Sequence, residues 1–252
     1  MTAISWTNKT WNPVTGCSKV SEGCRYCYAE NMSLRFGWTP KPWTAANAAE
    51  NVQLHPERLR KPHTWKEPQR VFVNSMSDLF HPEVPDSFIA DIFHVMATTP
   101  HTYQILTKRP ERAAEWPGPW TPNIWMGTSV EDERTMHRIE ELRQCGAATR
   151  FLSCEPLIGP LPGLNLEGIH WVIVGGESGQ HLAKAGPEHP RWMQQAWARE
   201  IRDACVAQGV PFFYKQDSGV RTEMRPWLVE TDGSRWRWHQ YPDHFAPPER
   251  VS

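Results

Sequence analysis

The sequence predicts an α/β fold: a partial parallel (βα) barrel of about six to seven strands, with Trp- and Pro-rich loops and a C-terminal extension. Two patterns predict it. Short apolar runs rich in β-branched and aromatic residues alternate with segments of helical periodicity, as βα units of a parallel sheet do. Each run is nearly continuous in apolar character, as in strands buried on both faces, and each ends abruptly in polar, charged or glycine residues. At 252 residues the chain is long enough for one such domain. Residues 1–220 are assigned to the barrel and 221–252 to an extension packed on it.

Residues 3–6 are read as the first strand, followed by a loop over 7–16 with Asn12-Pro13 and Thr15-Gly16 as turn signals. A helix is expected over 28–36, with Ala29, Met32, Leu34 and Phe36 as its apolar positions and Gly37 as its stop. The stretch 38–68 is rich in Trp, Pro and His, and within it only 50–59 reads as a helix. Then a rhythm begins. Strand 71–73 ends in Asn74-Ser75-Met76-Ser77-Asp78. Helix 86–99 follows, with Asp86 as N-cap and Phe88, Ile89, Ile92, Phe93 and Met96 as its apolar face. Strand 103–106 ends in Thr107-Lys108-Arg109-Pro110, before a short helix over 110–116. Strand 124–126 ends in a polar tip that includes Ser129 and Glu131, before a helix over 131–144. Strand 150–152 ends in Ser153-Cys154-Glu155-Pro156. Strand 171–174 ends in Gly175-Gly176-Glu177-Ser178-Gly179, before a long helix over 191–208. Strand 211–214 ends in Lys215-Gln216-Asp217. The tail from Arg221, with Trp227, Trp236, Trp238 and Tyr241, reads as a hairpin and coil over one sheet edge.

In a parallel α/β barrel the C-terminal strand ends share one face, and active sites lie there. Asn74, Ser75, Asp78, Lys108, Arg109, Ser129, Glu131, Glu155, Glu177 and Lys215 are therefore expected at one mouth. A formal net charge of -1, from 27 basic and 28 acidic residues, argues against a chain-wide electrostatic grip on nucleic acid. It leaves room for a local basic rim of Lys108, Arg109, Lys215, Arg221 and Arg225. No apolar run approaches 18 residues, and Met1-Thr-Ala-Ile-Ser-Trp6 lacks the character of a signal peptide. The expectation is a cytoplasmic protein with no membrane role, in which reduced thiols are free for metal.

Cys17, Cys24 and Cys27 stand in the spacing C-x6-C-x2-C. Thiolates are soft ligands that suit zinc or iron–sulfur clusters. Three clustered ligands make an incomplete closed zinc site, which wants four. They suit a [4Fe-4S] cluster with one iron left open for a small molecule. Two other readings stay open: a zinc site completed by His55, His63 or His81, and a disulfide.

A cysteine loop after the first strand of a parallel βα barrel resembles the radical S-adenosylmethionine (SAM) superfamily. Its usual spacing is C-x3-C-x2-C with an aromatic residue before the last cysteine; Tyr26 holds that place here, and the first gap is six. The wider set of motifs resembles a phage-associated, radical-SAM-like family of unassigned activity. It comprises Trp11-Asn-Pro13 to Tyr28-Ala-Glu30, Val73 to His81, Ile105 to Pro110, Gly127 to Glu131, Leu152 to Leu157, Val172 to Gly179 and Phe213 to Gln216. Two positions depart from its pattern: Cys154, where an aliphatic residue is usual, and Asp217-Ser218-Gly219, where Trp-Gly usually follows Lys-Gln. Cys154 is read as a small buried thiol rather than a hydrogen-atom donor.

The resemblance implies a [4Fe-4S] cluster on Cys17, Cys24 and Cys27 whose open iron chelates the amino and carboxylate groups of SAM. Reductive cleavage then gives a 5′-deoxyadenosyl radical that abstracts a hydrogen atom, with an electron donor such as flavodoxin or ferredoxin. Under this reading Gly175 and Gly176 let backbone approach the adenine or methionyl part. Glu177 or Asp78 accepts from the SAM ammonium, Lys108 or Arg109 holds its carboxylate, and Ser129 and Glu131 bind ribose hydroxyls. Glu177 pairing with Lys215 is an alternative. Tyr26, Asn74, Ser75 and Glu155 complete the expected cofactor site, while Arg109, Lys215 and Gln216 face a nucleotide or nucleic-acid substrate. The competing functions are a zinc-supported nucleic-acid binder and a cluster-free barrel hydrolase using Asp78, Glu155 and Glu177.

Overall fold

The structure, a computed structural model, describes residues 4–251. In chain order its elements are β1 (Lys9–Trp11), β2 (Val14–Thr15), α1 (Tyr28–Arg35), α2 (Ala48–Asn51), β3 (Gln53–Leu54), β4 (Arg70–Val73), α3 (Asp86–Thr98), β5 (Thr102–Thr107), α4 (Pro110–Glu115), β6 (Ile124–Ser129), α5 (His137–Arg143), β7 (Thr149–Cys154), β8 (Trp171–Gly175), α6 (Gln195–Gln208), β9 (Phe212–Gln216), β10 (Leu228–Val229), β11 (Arg235–Arg237) and β12 (Glu249–Val251). Seven strands form one sheet in the order β1-β4-β5-β6-β7-β8-β9. The fold class is the expected one: α/β, parallel, with the strand number of a partial (βα) barrel. The chain divides into two compact units.

The first unit runs to Thr128 and includes Gln144–Thr149. Here β1 pairs with β4 (Trp11 opposite Val73), β4 with β5 (Val73 opposite Ile105) and β5 with β6 (Thr107 opposite Thr128), all parallel. Val71, Val73, Tyr103, Ile105, Ile124 and Met126 are fully buried, which is why their sequence reads as unbroken apolar runs. The predicted face of α3, Phe88, Ile89, Ile92, Phe93 and Met96, is buried throughout. Asp86 is its first helical residue; Pro85 holds the N-cap position, and the Asp86 carboxylate accepts from Arg112 at 2.5 Å instead.

Three expectations fail in this unit. The first strand is not at residues 3–6: Ala3 lies outside the described residues, and the strand forms at Lys9–Trp11. Trp6 is buried by packing on Phe72, ring centroids 4.7 Å apart, rather than by a strand ladder. Trp11 is the fully buried strand residue and donates its indole N–H to the Arg58 carbonyl at 2.9 Å. Residues 50–59 are not one helix, because Pro56 interrupts the pattern. The short β3 pairs antiparallel with β2 instead, and Pro56–Arg60 winds as a 3₁₀ turn. Finally, of the four apolar positions expected for the helix at α1, Ala29 is buried and the other three face outward. The helix buries Ala29, Glu30 and Ser33 and exposes Met32, Leu34 and Phe36. Glu30 is drawn inward because its carboxylate accepts from the Trp43 N–H (2.8 Å) and pairs with Lys19 (2.8 Å).

The second unit holds Ser129–Arg143 and Arg150–Ser252. Its strands β7, β8 and β9 pair parallel, with Leu152 opposite Val172 and Ile173 opposite Phe213. The helix expected over 131–144 starts later. Asp132 caps a 3₁₀ turn at Glu133–Thr135 through a capping box with Thr135, and α5 follows. Likewise α6 starts at Gln195, since Arg191 is committed to Glu177, and it ends at Gly209, whose φ of 67° is the left-handed cap glycine allows. The tail forms a three-stranded antiparallel sheet, β10-β11-β12. Its Trp238 carbonyl accepts from the Tyr214 N–H at 2.8 Å, and Gln240 donates to Phe212, so the tail covers the free edge of β9.

Candidate functional site

In the first unit, the cysteine loop begins at Gly16, directly after β2. With φ at 83°, and with a Cβ that would fall 1.9 Å from the Asn51 carbonyl oxygen, this position requires glycine. The loop passes through the 3₁₀ turn Glu22–Cys24 and ends with Cys27 at the N-cap of α1. None of the six cysteines is in a disulfide. Cys17, Cys24 and Cys27 are partly exposed, whereas Cys145, Cys154 and Cys205 are buried.

Burial first, then the charge of Asp78, pushes the Cys17 thiol up to about 12, against the pull of Arg109. Burial likewise raises Cys27, opposed by the N–H groups of Glu30 and Ala29. Cys24 is close enough to raise both. Cys17 and Cys27, both held protonated chiefly by burial, become thiolates when a cation compensates them, as a bound metal does. Among the described residues no three His, Cys, Asp or Glu side chains converge on a single metal ion. His81 bonds Ser18 Oγ at 2.8 Å, and His55 bonds Thr15 Oγ1 at 2.8 Å, so these two rings brace the loop. The three thiols of the one loop are the donor set through which a multinuclear cluster, with each thiolate on its own iron, would be held.

Behind Cys17 lies a buried polar knot. The Arg109 guanidinium donates to Asp78 Oδ2 (2.9 Å), to the Ser18 carbonyl (2.9 Å), to Ser18 Oγ (3.1 Å) and to Cys17 Sγ (3.6 Å). Burial works against the Arg109 charge, but Asp78 and Cys17 beside it outweigh that and hold its pKa up. Asp78 also accepts from Phe80 N–H (3.0 Å), Thr107 Oγ1 (2.6 Å) and Lys108 N–H (3.1 Å). Its lone pairs are thus committed within the protein. Arg109, expected on a substrate-facing basic rim, is 5% exposed and braces the cysteine loop instead. Burial, then the charge of Arg109, pushes His81 down to about 4, so its ring is neutral. Lys108 is near enough to Cys27 to lower its pKa, and Arg25 lies over the Tyr26 ring at 5.5 Å.

The β4 tip is sewn to the same loop. Asn12 Nδ2 donates to Ser75 Oγ (3.0 Å), Met76 N–H to Asn12 Oδ1 (3.1 Å), Ser77 Oγ to the Val14 carbonyl (2.9 Å) and the Tyr28 hydroxyl to the Ser75 carbonyl (2.7 Å). Sequence reasoning missed Asn12, Ser18 and His81 as parts of this knot. Polar residues in the β1 loop and after β4 were the available signal.

In the second unit the expected site residues are mostly tied to partners within the unit. Glu131 accepts from Arg138 at 3.1 and 3.2 Å, and the same Arg138 nitrogen donates to the Ser129 carbonyl at 2.9 Å. Glu155 pairs with Lys215 at 2.5 Å. Glu177 takes Arg191 on both carboxylate oxygens, at 2.5 and 2.7 Å, and His181 at 2.9 Å, so the alternative pairing of Glu177 with Lys215 does not form. Gln216, expected to face substrate, is fully buried; its amide donates to the Gly176 carbonyl (2.8 Å) and accepts from Glu223 N–H (2.7 Å). Nor do the paired glycines leave open space. A Cβ on Gly175 would meet the Glu155 carboxyl carbon at 3.1 Å, and one on Gly176 the Ser218 nitrogen at 2.3 Å. Their missing side chains serve the chain's own packing. Cys154 is buried beside Glu131, and burial, then that charge, pushes its thiol up to about 12.

Fold and thiol loop together define an α/β protein of parallel βα units with a three-cysteine donor set behind the first strand. The chain belongs to the family described as a protein of unknown function, DUF5131, whose model matches residues 1–242. No curated protein matches the sequence. Similar solved structures include a cysteine-to-serine mutant of spore photoproduct lyase, at 12% identity and a TM-score of 0.44 over 83% of this chain and 74% of that one. Another is spore photoproduct lyase complexed with dinucleoside spore photoproduct, at 11% identity and a TM-score of 0.43 over 96% and 67%. A third is a double mutant of that lyase with bound AdoMet and dinucleoside spore photoproduct, at 12% identity and a TM-score of 0.41 over 94% and 66%.

Proposed function

We propose that this protein is a radical SAM enzyme in which Cys17, Cys24 and Cys27 hold a [4Fe-4S] cluster. The observation that carries the reading is the set of three partly exposed thiols in one loop, with Cys24 an electrostatic neighbour of both Cys17 and Cys27. When bound, the cluster and SAM supply reductive cleavage of a sulfonium and a carbon radical that abstracts hydrogen. The protein's own part is electrostatic and positional. Arg109 carries a fixed positive charge and donates toward Cys17 Sγ, stabilising a thiolate there. Asp78 holds Arg109 in register, and Ser18 fixes the other guanidinium nitrogen. At the far end of the loop, the first-turn N–H groups of α1 and the charge of Lys108 favour a thiolate at Cys27.

A hydrolase reading would need Asp78, Glu155 or Glu177 to move a proton. Each is instead locked in an ion pair, with Arg109, Lys215 and Arg191 respectively. A nucleotide or nucleic-acid substrate, and an electron donor such as flavodoxin or ferredoxin, belong to the proposal on the motif resemblance. Binding of oligonucleotides at low salt tests the former.

The decisive experiment is anaerobic reconstitution with iron and sulfide, followed by SAM and dithionite. About four irons per chain and release of 5′-deoxyadenosine are expected. Stoichiometric zinc with no iron uptake, or no 5′-deoxyadenosine from iron-loaded protein, would sink the reading.

A further inference from the structure

Among the described residues eight large apolar side chains are exposed, and six of them fall in one short stretch: Val20, Tyr28, Met32, Leu34, Phe36 and Trp38. Apolar surface gathered in this way marks a contact surface. Tyr28, Met32 and Phe36 are four residues apart, so they form one ridge along α1, about 12 Å long by helical rise. The ridge starts at the cysteine loop, because Cys27 is the N-cap of α1. At its far end the backbone is locked. Trp38 N–H donates to the Ser33 carbonyl (2.8 Å) and Gly37 N–H to the Leu34 carbonyl (3.3 Å), the bond pair of a Schellman motif, with Gly37 at a φ of 66°. The Phe36 and Trp38 rings that flank this glycine stack, with centroids 5.2 Å apart and planes 29° apart, and stay 56% and 49% exposed. The Arg35 guanidinium lies over the Phe36 ring at 5.5 Å. Lys19, Arg25 and Lys41 near by have acid partners in Glu30, Glu22 and Glu50, whereas Arg35 has none among the described residues.

We propose that this ridge and the Phe36–Trp38 stack bind single-stranded nucleic acid, with bases stacking on the rings and Arg35 donating to a phosphate. The inference deepens the reading above by naming where and in what form nucleic acid is held, and it rests on that reading only for the use made of the bound strand. Three features select this partner. Every base has a π-face, and exposed aromatic rings beside an arginine are the chemistry of sequence-tolerant single-strand binding. Bases within a duplex are stacked on each other, so only a strand with free bases can use the rings. An apolar protein partner, a second copy of this face included, would bury the Arg35 charge unpaired, whereas the phosphate beside each base supplies its partner. The Schellman turn fixes the rings before binding, so little freedom is lost when a base docks.

Fluorescence anisotropy of a short labelled oligothymidylate, alone and in a duplex, with the reconstituted full chain tests it. Wild type is expected to bind the single strand about 10-fold more tightly than the duplex. Phe36→Ala and Trp38→Ala should each lose roughly 10-fold in affinity, as removal of one stacking ring implies. Phe36→Tyr and Trp38→Phe keep a ring and should stay within about 3-fold of wild type. Arg35→Gln should weaken binding and flatten its decline between about 50 and 200 mM salt. Rescue by the ring-keeping variants separates stacking from a structural role, whatever the alanine variants do to the melting temperature. No binding by wild type, equal binding of the duplex, or affinity unchanged in both alanine variants would each overturn the proposal. So would an equal loss in the ring-keeping variants. A dimer in sedimentation that Trp38→Ala dissociates, with oligonucleotide affinity unchanged, would give the surface to a second copy instead. Release of 5′-deoxyadenosine without oligonucleotide binding sinks this inference and leaves the radical reading standing. Oligonucleotide binding with ring dependence but no 5′-deoxyadenosine does the reverse.

Discussion

The loop that carries Cys17, Cys24 and Cys27 and the strand tips of β7, β8 and β9 look alike in sequence, each a polar cluster after an apolar run. They are built differently. Around the cysteine loop, ion pairs and hydrogen bonds brace three partly exposed thiols free of disulfides, and the Asn74 amide is left unpaired. At the tips of the second unit, Glu155 pairs with Lys215, Glu177 with Arg191 and His181, and Gln216 with nearby backbone. A polar strand end therefore marks a site only when its groups have demands the protein does not meet. Where they are met internally, the same residue types are structural.

The largest contrast should come from the thiols. Cys17→Ala, Cys24→Ala and Cys27→Ala are each expected to abolish stable iron loading and 5′-deoxyadenosine release, measured by iron analysis and chromatography. Cys145→Ala and Cys205→Ala should leave both intact. Retention of a full cluster by a loop variant would erase the distinction between the two regions.

Next in size is the buried ion pair of the second unit. Arg191→Ala leaves the buried Glu177 carboxylate with His181 alone and is expected to cost roughly 3–5 kcal/mol in urea unfolding, with iron content per folded chain unchanged. Loss of iron at constant stability would instead bring Glu177 into the cofactor site.

Arg109→Lys probes the brace behind Cys17. Lysine keeps the charge but not the fork that reaches Asp78, Ser18 and Cys17 together. Iron affinity is expected to fall about 10- to 100-fold, followed by competition with a chelator. Equal affinity would make Arg109 a stability residue only.

The smallest effect concerns Asp217, the carboxylate of the second unit whose burial outweighs its partners. Burial holds it above its ordinary range, against Arg225 beside it. The folded chain thus binds this proton more tightly than the unfolded chain. Its penalty is greatest above the raised folded pKa and shrinks as pH falls through that value. Asp217→Asn is expected to be slightly more stable than wild type at pH 7 and to lose that advantage in acid, checked by paired urea titrations. An advantage that grows on acidification would reverse the sign and the assignment.

Much of the fold was readable before any coordinates. Val71 to Val73, Tyr103 to Leu106 and Trp171 to Val174 mark their strands because strands buried on both faces need unbroken apolar residues. The face of α3 was equally plain. The misreadings share a cause. The strand misplaced to residues 3–6 and the outward face of α1 depend on which residue finds a distant partner. Trp11 rather than Trp6 enters the sheet beside Val73, and Glu30 is pulled in by Trp43 and Lys19. Periodicity carries no record of such partners. The same holds at the candidate site: spacing exposed the cysteines, but nothing local foretold that Asn74 would be unpaired or Gln216 fully engaged.

Sequence alone determined the α/β class, the order of the βα units and the presence of three thiols in eleven residues. Those are properties of neighbours along the chain, set by covalent spacing and by which residues leave water. Tertiary structure decided which polar groups are spent and which are left over. Arg109 reaches Ser18 across 91 positions, and Lys215 reaches Glu155 across 60. Whether a charge is a brace or a tool is settled by such long-range pairs, because a buried polar atom's free energy depends on the partner it meets after folding.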